Sequence, residues 1–272
     1  MNIVCCIKQV PDTTQVKIDP ETNTLVRSGV ESICNPYDLV AAEAAVQLIE
    51  KYGGKATVIT MGPPQAESAL RECLALGIDE AILLSDRAFA GADTLATSFT
   101  LARAISKIAS EEQVDLVLCG KQAIDGDTAQ TGPGIATRLG YDQFTYVSQI
   151  IEVDPEKRTI VVKREVEGGS EIIEGRLPAL LTCELELATP RYASLPQMVR
   201  ALRQEIKVWG ASDLDAPVEL IGLKGSPTQV REIFTPPLRT GGAIFDTKEE
   251  GEKAIDKFLE DLFQDESWQE NK

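Results

Sequence analysis

Histidine is absent from all 272 residues. That removes the commonest general base, the Ser-His and Cys-His nucleophile pairs, and the commonest metal ligand. Cysteine occurs at 5, 6, 34, 73, 119 and 183, never in the short paired spacing of a zinc or iron–sulfur site, so no metal centre is expected. Cys5, Cys6 and Cys119 fall inside apolar runs, where a free thiol acts as a small buried hydrophobe, a pattern that suits a reducing cytoplasm. Positive charge is in deficit. There are 27 Lys and Arg against 43 Asp and Glu, a net −16, so a phosphate backbone would be repelled and no nucleic-acid partner is expected. Apolar runs of the roughly 20 residues needed to cross a bilayer are missing too. The start, Met1 to Lys8, has neither the basic nor the long apolar region of a signal peptide, so the reading is cytoplasmic, without membrane insertion.

The remaining composition, 43% hydrophobic and 26% charged, is that of an ordinary globular protein. Short apolar runs alternate with helical patterns through the first half. Ile3–Val10, Ala56–Met61, Ala81–Ser85 and Leu116–Cys119 read as strands. Asn35 suits an N-cap, Pro36 the first helical position and Asp38 the first turn; Gly53-Gly54 stop that helix. Pro63-Pro64 open a second helix to Leu76, and Thr94 opens a third to about Glu112. Strands spaced by such helices predict an α/β, Rossmann-like parallel sheet of the adenine-nucleotide-hydrolase-like kind. Ligands of such sheets sit outside the carboxyl ends of the strands, where strand order reverses.

Two stretches break the rhythm. Val16–Val26 reads as a hairpin around Asp19-Pro20-Glu21-Thr22-Asn23, and Ile151–Cys183 as a longer antiparallel extension. The division expected is a nucleotide-binding domain at 1–190 and a docking loop with a C-terminal arm at 191–272, ending in an amphipathic helix from about Lys248 to Phe263; the tail either wraps something else or packs back on its own domain.

The segment from Gly120 to Thr131 follows a strand, leads into a helix and carries small residues that let backbone amides approach a phosphate. It is neither a P-loop nor a G-x-G-x-x-G fingerprint. Spacing alone leaves two readings open, a nucleotide-binding loop and a tight Gly-Asp-Gly turn without a ligand. Lys8–Asp12, Asn35–Asp38 and Met61-Gly62 would converge on the same edge.

Ile7-Lys8-Gln9-Val10-Pro11-Asp12, Asn35-Pro36-Tyr37-Asp38, Gly120-Lys121-Gln122-Ala123-Ile124-Asp125 and Pro190-Arg191-Tyr192-Ala193-Ser194-Leu195-Pro196 resemble, in order, the beta subunit of electron transfer flavoproteins. The resemblance runs from the first strand to about Arg200. It implies a partner alpha subunit carrying the electron-transferring FAD. In the common members the beta cleft holds AMP as a structural ligand. In the electron-bifurcating members it holds the adenosine end of a second FAD, which accepts hydride from NADH. Carried over, the nucleotide contacts are Cys6, Lys8, Asn35, Pro36, Tyr37, Asp38, Met61, Gly120, Lys121, Gln122, Ala123, Ile124, Asp125, Gly126, Asp127, Thr128, Ala129, Gln130 and Thr131.

The stretch Asp86–Thr97 and the triplet Thr128-Ala129-Gln130 resemble the bifurcating members, which adds Asp93 and Thr94 to the contacts. Residue chemistry by itself makes Asp93 a helix cap, and the two roles are compatible. Tyr192, Leu195, Pro196 and Arg200 would dock a flavoprotein partner, with Leu195 as anchor; the alternative is a core contact bracketed by prolines. Arg164 matches an arginine near the subunit interface, or is a plain surface charge.

The implied function passes electrons from NADH through the beta-cleft FAD. One goes to the alpha-subunit FAD and an acyl-CoA dehydrogenase-like or other flavoprotein, the other to ferredoxin or flavodoxin. No side chain is expected to act as catalytic acid or base, because the cofactor carries the chemistry. The competing readings are an AMP-holding electron shuttle and an adenine-nucleotide hydrolase or sensor.

Overall fold

Short apolar runs, buried on both sides, set the centre of the molecule. The computed structural model describes residues 1–12, 17–18, 25–26, 31–230 and 244–264. The chain divides into two compact units, residues 1–231 and 232–272.

The first unit opens with β1 (Asn2–Cys6), β2 (Gln9–Pro11), β3 (Lys17–Ile18), β4 (Leu25–Val26) and β5 (Ser32–Cys34). Then come α1 (Pro36–Tyr52), β6 (Lys55–Met61), α2 (Glu67–Leu76), β7 (Glu80–Leu84), α3 (Thr94–Glu111), β8 (Leu116–Gly120) and α4 (Thr131–Leu139). A long antiparallel run follows, β9 (Asp142–Asp154), β10 (Thr159–Val166) and β11 (Gly169–Arg176), and then β12 (Ala179–Cys183), α5 (Leu195–Arg203) and β13 (Lys207–Trp209).

Among the described residues, nine strands form one sheet in the order β11-β10-β9-β12-β8-β1-β6-β7-β13. All neighbours from β9 to β13 run parallel, and β10 and β11 run antiparallel. The central strands are buried along nearly their whole length because helices cover both faces. Successive β1 residues feed opposite cores. Ile3 and Cys5 pack with Ala41, Ala45 and Leu70 of α1 and α2, while Val4 and Cys6 pack with Leu101 and Ile105 of α3 and Ile135 of α4. All six cysteines are free and buried, filling core positions as small apolar groups. The expected α/β sheet is therefore present.

Three expectations change in detail. The strand read as Ile3–Val10 is two strands, with β2 leaving the main sheet to pair antiparallel with β5. The ladder ends there because the Lys8 amide donates to the Asp38 carboxylate at 2.8 Å. The segment after 190 takes the second of its two expected courses, packing back on the sheet. Its β13 pairs with β7, and Arg71 of α2 donates to the Ala201 carbonyl of α5 at 2.6 Å, so the first unit extends to residue 231. The antiparallel extension edges the sheet through β9 and starts at Asp142, earlier than its sequence pattern announced. The early hairpin is seen as the pairing of β3 with β4; its expected turn, Asp19–Asn23, lies outside the described residues.

In the second unit the expected single helix is α6 (Thr247–Glu250) and α7 (Glu252–Gln264), separated by Gly251 at φ 61°. Asp246 caps α6 by accepting from the Lys248 amide at 2.8 Å, and Phe245 meets Phe258 edge to face at 5.7 Å. No described helix is long and apolar enough to cross a membrane.

Candidate functional site

From β1 the chain moves outward to β6 and β7, then crosses back to β8 on the other flank of β1. The reversal leaves a crevice outside the carboxyl ends of β1 and β8, the usual place for a ligand in such sheets. Cys6 and Cys119 face each other in register at its floor, and burial pushes both thiols up, away from reactivity.

Asp38 dominates this edge. One carboxylate oxygen accepts from the Lys8 amide and the other from the Gly120 amide, each at 2.8 Å. Burial pushes its pKa from 3.8 up to about 7, although both amides favour the charged form. A Cβ at Gly120 would stand 2.5 Å from both the Asp38 Oδ1 and the Tyr37 Cβ, so glycine is required for this approach.

The loop after β8 is held from below and from the side. Asn35 donates to the Gln122 carbonyl at 2.9 Å and accepts from the Ile124 amide at 3.2 Å. Asn35 stands at the N-cap of α1 as expected, but its side chain fastens the loop and makes no cap bond there. Pro36 occupies the first turn of that helix as expected. At the tip, Lys8 pairs with Asp125 at 2.7 Å, and Gln122 donates to Asp127 at 2.8 Å. Asp127 and Ala129 take left-handed φ values of 49° and 52°, which turns successive amides toward one side. Gly126 leaves open space where a side chain would stand. The Thr94 hydroxyl donates to Gln130 Oε1 at 3.2 Å, joining the first turn of α3 to the residue before Thr131 at the start of α4. Two helix N-termini thus open beside the same loop, where Thr128 is exposed.

Charge in the crevice is balanced internally. Lys121 pairs with Glu184 at 3.0 Å and lies 5.3 and 5.7 Å from the ring centres of Tyr37 and Tyr146. Burial by itself would lower the Lys121 pKa, but Glu184 outweighs it and holds the ammonium above its ordinary value. With Lys8 and Lys121 both committed to carboxylates, an anion here would rest chiefly on backbone amides and helix N-termini.

Asp93 caps α3, accepting from the Leu95 and Ala96 amides at 2.9 and 3.1 Å, and its second oxygen accepts from the Thr228 amide and hydroxyl. Burial would raise this carboxyl, but those donors together hold it below its ordinary value. Both carboxylate oxygens of Asp93 are thus engaged within the chain, and its neighbour Thr94 reaches toward the loop through Gln130. Met61 ends β6, half-buried beside the second core. Ala123 closes the turn by accepting from the Gly126 and Asp127 amides.

The residues expected to dock a partner lie elsewhere on the surface. Tyr192 is fully exposed, Leu195 is 74% exposed and Pro196 is exposed, all at the start of α5. Arg200 instead sends its guanidinium to the Ile78 carbonyl at 2.9 Å. Arg164 ties the extension together, donating to Thr145 of β9 and pairing with Glu171 of β11 at 3.0 Å. Glu184 and Tyr146 were not legible as site residues. Tyr146 sits at φ 58°, a strained value for an aromatic that no sequence pattern announces.

These features define a doubly wound α/β protein with a backbone-lined crevice outside the carboxyl ends of β1 and β8. The family model "Electron transfer flavoprotein domain" matches residues 22–214. The chain is 49% identical over 265 residues to the electron transfer flavoprotein subunit beta of Clostridium acetobutylicum, covering 97% of this chain and 100% of that one. It is 54% identical to Protein FixA of Azotobacter vinelandii, over 88% of this chain and 86% of that protein. It is 53% identical to the caffeyl-CoA reductase-Etf complex subunit CarD of Acetobacterium woodii, over 90% and 91%. The chain belongs to the electron transfer flavoprotein family and is of its beta-subunit type.

Proposed function

We propose that this chain is the beta subunit of an alpha–beta electron transfer flavoprotein that holds FAD in the crevice and bifurcates electrons. The observation that carries the reading is the Thr94–Gln130 contact. It brings the N-termini of α3 and α4 to one loop, giving room and polarity for a pyrophosphate where a single phosphate would need only one. When bound, FAD supplies hydride acceptance from NADH and passes electrons singly toward the alpha-subunit FAD with its flavoprotein partner and toward ferredoxin or flavodoxin.

The chain's own residues bind and orient. The Gly120–Thr131 loop offers amides to phosphate, Asn35 and Lys8 fix its shape, and the walls near Tyr37 and Cys6 take the adenosine end. Tyr192, Leu195 and Pro196 form the apolar contact for a partner flavoprotein, and the helices α6 and α7 serve the alpha subunit. The name of the CarD relative places that protein in a reductase complex, which supports an acyl-CoA dehydrogenase-like partner for this chain. A partner-free nucleotide hydrolase fits less well, because each crevice lysine is already neutralised by a carboxylate.

The test is the nucleotide content of the chain purified with its alpha subunit. Two FAD per heterodimer are expected; one FAD with one AMP would leave the simple shuttle.

A further inference from the structure

Beyond Cys6 and Cys119, the last registered pair, β1 and β8 no longer bond to each other. The Lys8 and Gly120 amides turn instead to the two oxygens of Asp38. A carboxylate from the first turn of α1 thus stands where the ladder would continue and holds the two strand ends apart. The loop assigned to phosphate begins at the residue so held.

We propose that Asp38 is a positioning residue, not a ligand: its ionised carboxylate wedges open the crevice, and nucleotide binding requires that charged form. The proposal rests on the crevice being the nucleotide site. The chemistry follows from donor counting. An ionised carboxylate accepts from both amides at once. A neutral carboxyl carries its own proton on one oxygen, which is then a much weaker acceptor for the N–H it faces and has a hydrogen of its own to place. One of the two strand ends is released, and the loop loses its fixed origin.

The surroundings let Asp38 act as a switch near neutrality. Facing it are Cys5 and Cys6 of β1, Cys34 of β5, Cys119 of β8, Cys183 of β12 and the Lys8 ammonium. Burial pushes Cys5, Cys6, Cys119 and Cys183 well up, and at Cys34 a bond with Cys73 acts first and burial adds to it, so these thiols stay neutral. Lys8 is committed to Asp125. Asp38 itself titrates at about 7.

Asp38→Asn reproduces the protonated state, since an amide has one accepting oxygen and turns an NH2 toward the other donor. The experiment titrates FAD and AMP into the nucleotide-stripped alpha–beta complex at pH 6 and pH 8. The wild-type complex is expected to bind about fivefold more weakly at pH 6, and the variant about tenfold more weakly than wild type at pH 8, the factor for one buried bond lost. The variant's affinity should be the same at both pH values. Equal binding by the two proteins at pH 8, or an unchanged pH dependence in the variant, overturns the proposal.

Hydrogen exchange on the wild-type complex decides independently of ligand and of the variant's folding. Peptides containing Lys8 and Gly120 should gain protection between pH 6 and pH 8 beyond the intrinsic rate change. Unchanged protection overturns the wedge. If wild type binds neither FAD nor AMP, the nucleotide reading fails, and the exchange result still decides the role of Asp38.

Discussion

Helix α1 carries two buried carboxylates, and the protein treats them oppositely. Asp38 in the first turn is held by two neutral amides, and its pKa is pushed up to about 7. Glu43 in the second turn is 2% exposed, yet its pKa falls below the usual carboxylate range. Burial would raise Glu43 too. The Arg191 guanidinium, donating to both of its oxygens at 2.9–3.1 Å, reverses the sign, and Gln47 adds a bond at 2.9 Å. The same guanidinium also grips Glu50 at 2.6 Å. Burial penalises both charges; on this helix the guanidinium overcomes it at Glu43, and the neutral donors at Asp38 do not. The arrangement at Glu43 is built to last, whereas the one at Asp38 is poised.

The widest separation between the two should appear in the pH dependence of stability. A raised carboxyl stabilises the fold fully below its unfolded pKa and loses that contribution as pH climbs through its folded value. For Asp38 the window runs from 3.8 to about 7, and the loss is on the order of 4 kcal/mol. Asp38→Asn removes this slope. Urea unfolding across that range should show the variant gaining on wild type as pH rises, then running parallel above pH 7. Glu43→Gln should show the opposite sign, because a lowered carboxyl contributes above its unfolded 4.5 and is lost as pH falls. Parallel curves throughout for Asp38→Asn would mean that Asp38 is not perturbed by burial.

Next in size is the loss of the cation. Arg191→Ala leaves Glu43 buried and unpaired, which costs about 3 kcal/mol. It also leaves the segment carrying Tyr192 and Leu195 tied to Glu43 only through the residue-191 backbone amide. Denaturation should report the stability loss, and, if the proposed docking role holds, affinity for a flavoprotein partner should drop with it. An Arg191→Ala variant of full stability would show that the fork adds nothing measurable, as is common for surface pairs.

Asn35→Ala tests the crevice side of the comparison without removing a charged residue, though it also takes one donor from Asp38. It strips partners from the Gln122 carbonyl and the Ile124 amide at once. About 2 kcal/mol of stability is expected to go, with faster hydrogen exchange confined to residues 120–131. Exchange spread evenly over the sheet would contradict a local anchoring role.

Much of this fold was legible because its signals are local and repeated. Pro36 and Gly53 bracket α1, Asp93 caps α3, and apolar runs mark each central strand. The crevice edge was legible for the same reason, as four loops that must follow or precede those elements. What could not be read were matters of partnership between distant residues. Nothing beside Asn35 says that its amide reaches a loop 87 positions on, and nothing beside Asp93 points to Thr228. Three-residue β13 carries no pattern of its own, and it joins the sheet because β7 offers a free edge. Glu184 looks like one more surface acid until the fold sets it against Lys121.

The smallest effect belongs to the pair at the loop tip. Lys8 and Asp125 meet at 2.7 Å, but their side chains are 50% and 29% exposed, so Lys8→Gln should cost under about 1 kcal/mol and less at high salt. Its value lies in what it separates. The amide of Lys8 is bound by Asp38 whatever side chain the residue carries, so the strand end should stay in place. If the loop is shaped by Asn35 and Asp38 from beneath, nucleotide affinity in Lys8→Gln should stay within about threefold of wild type at low salt. A loss of tenfold or more, undiminished at high salt, would instead make the lysine a direct phosphate contact that leaves Asp125 when ligand arrives. The crevice would then share the design of the Arg191 fork, an exchange of charge partners, rather than the amide-held arrangement around Asp38.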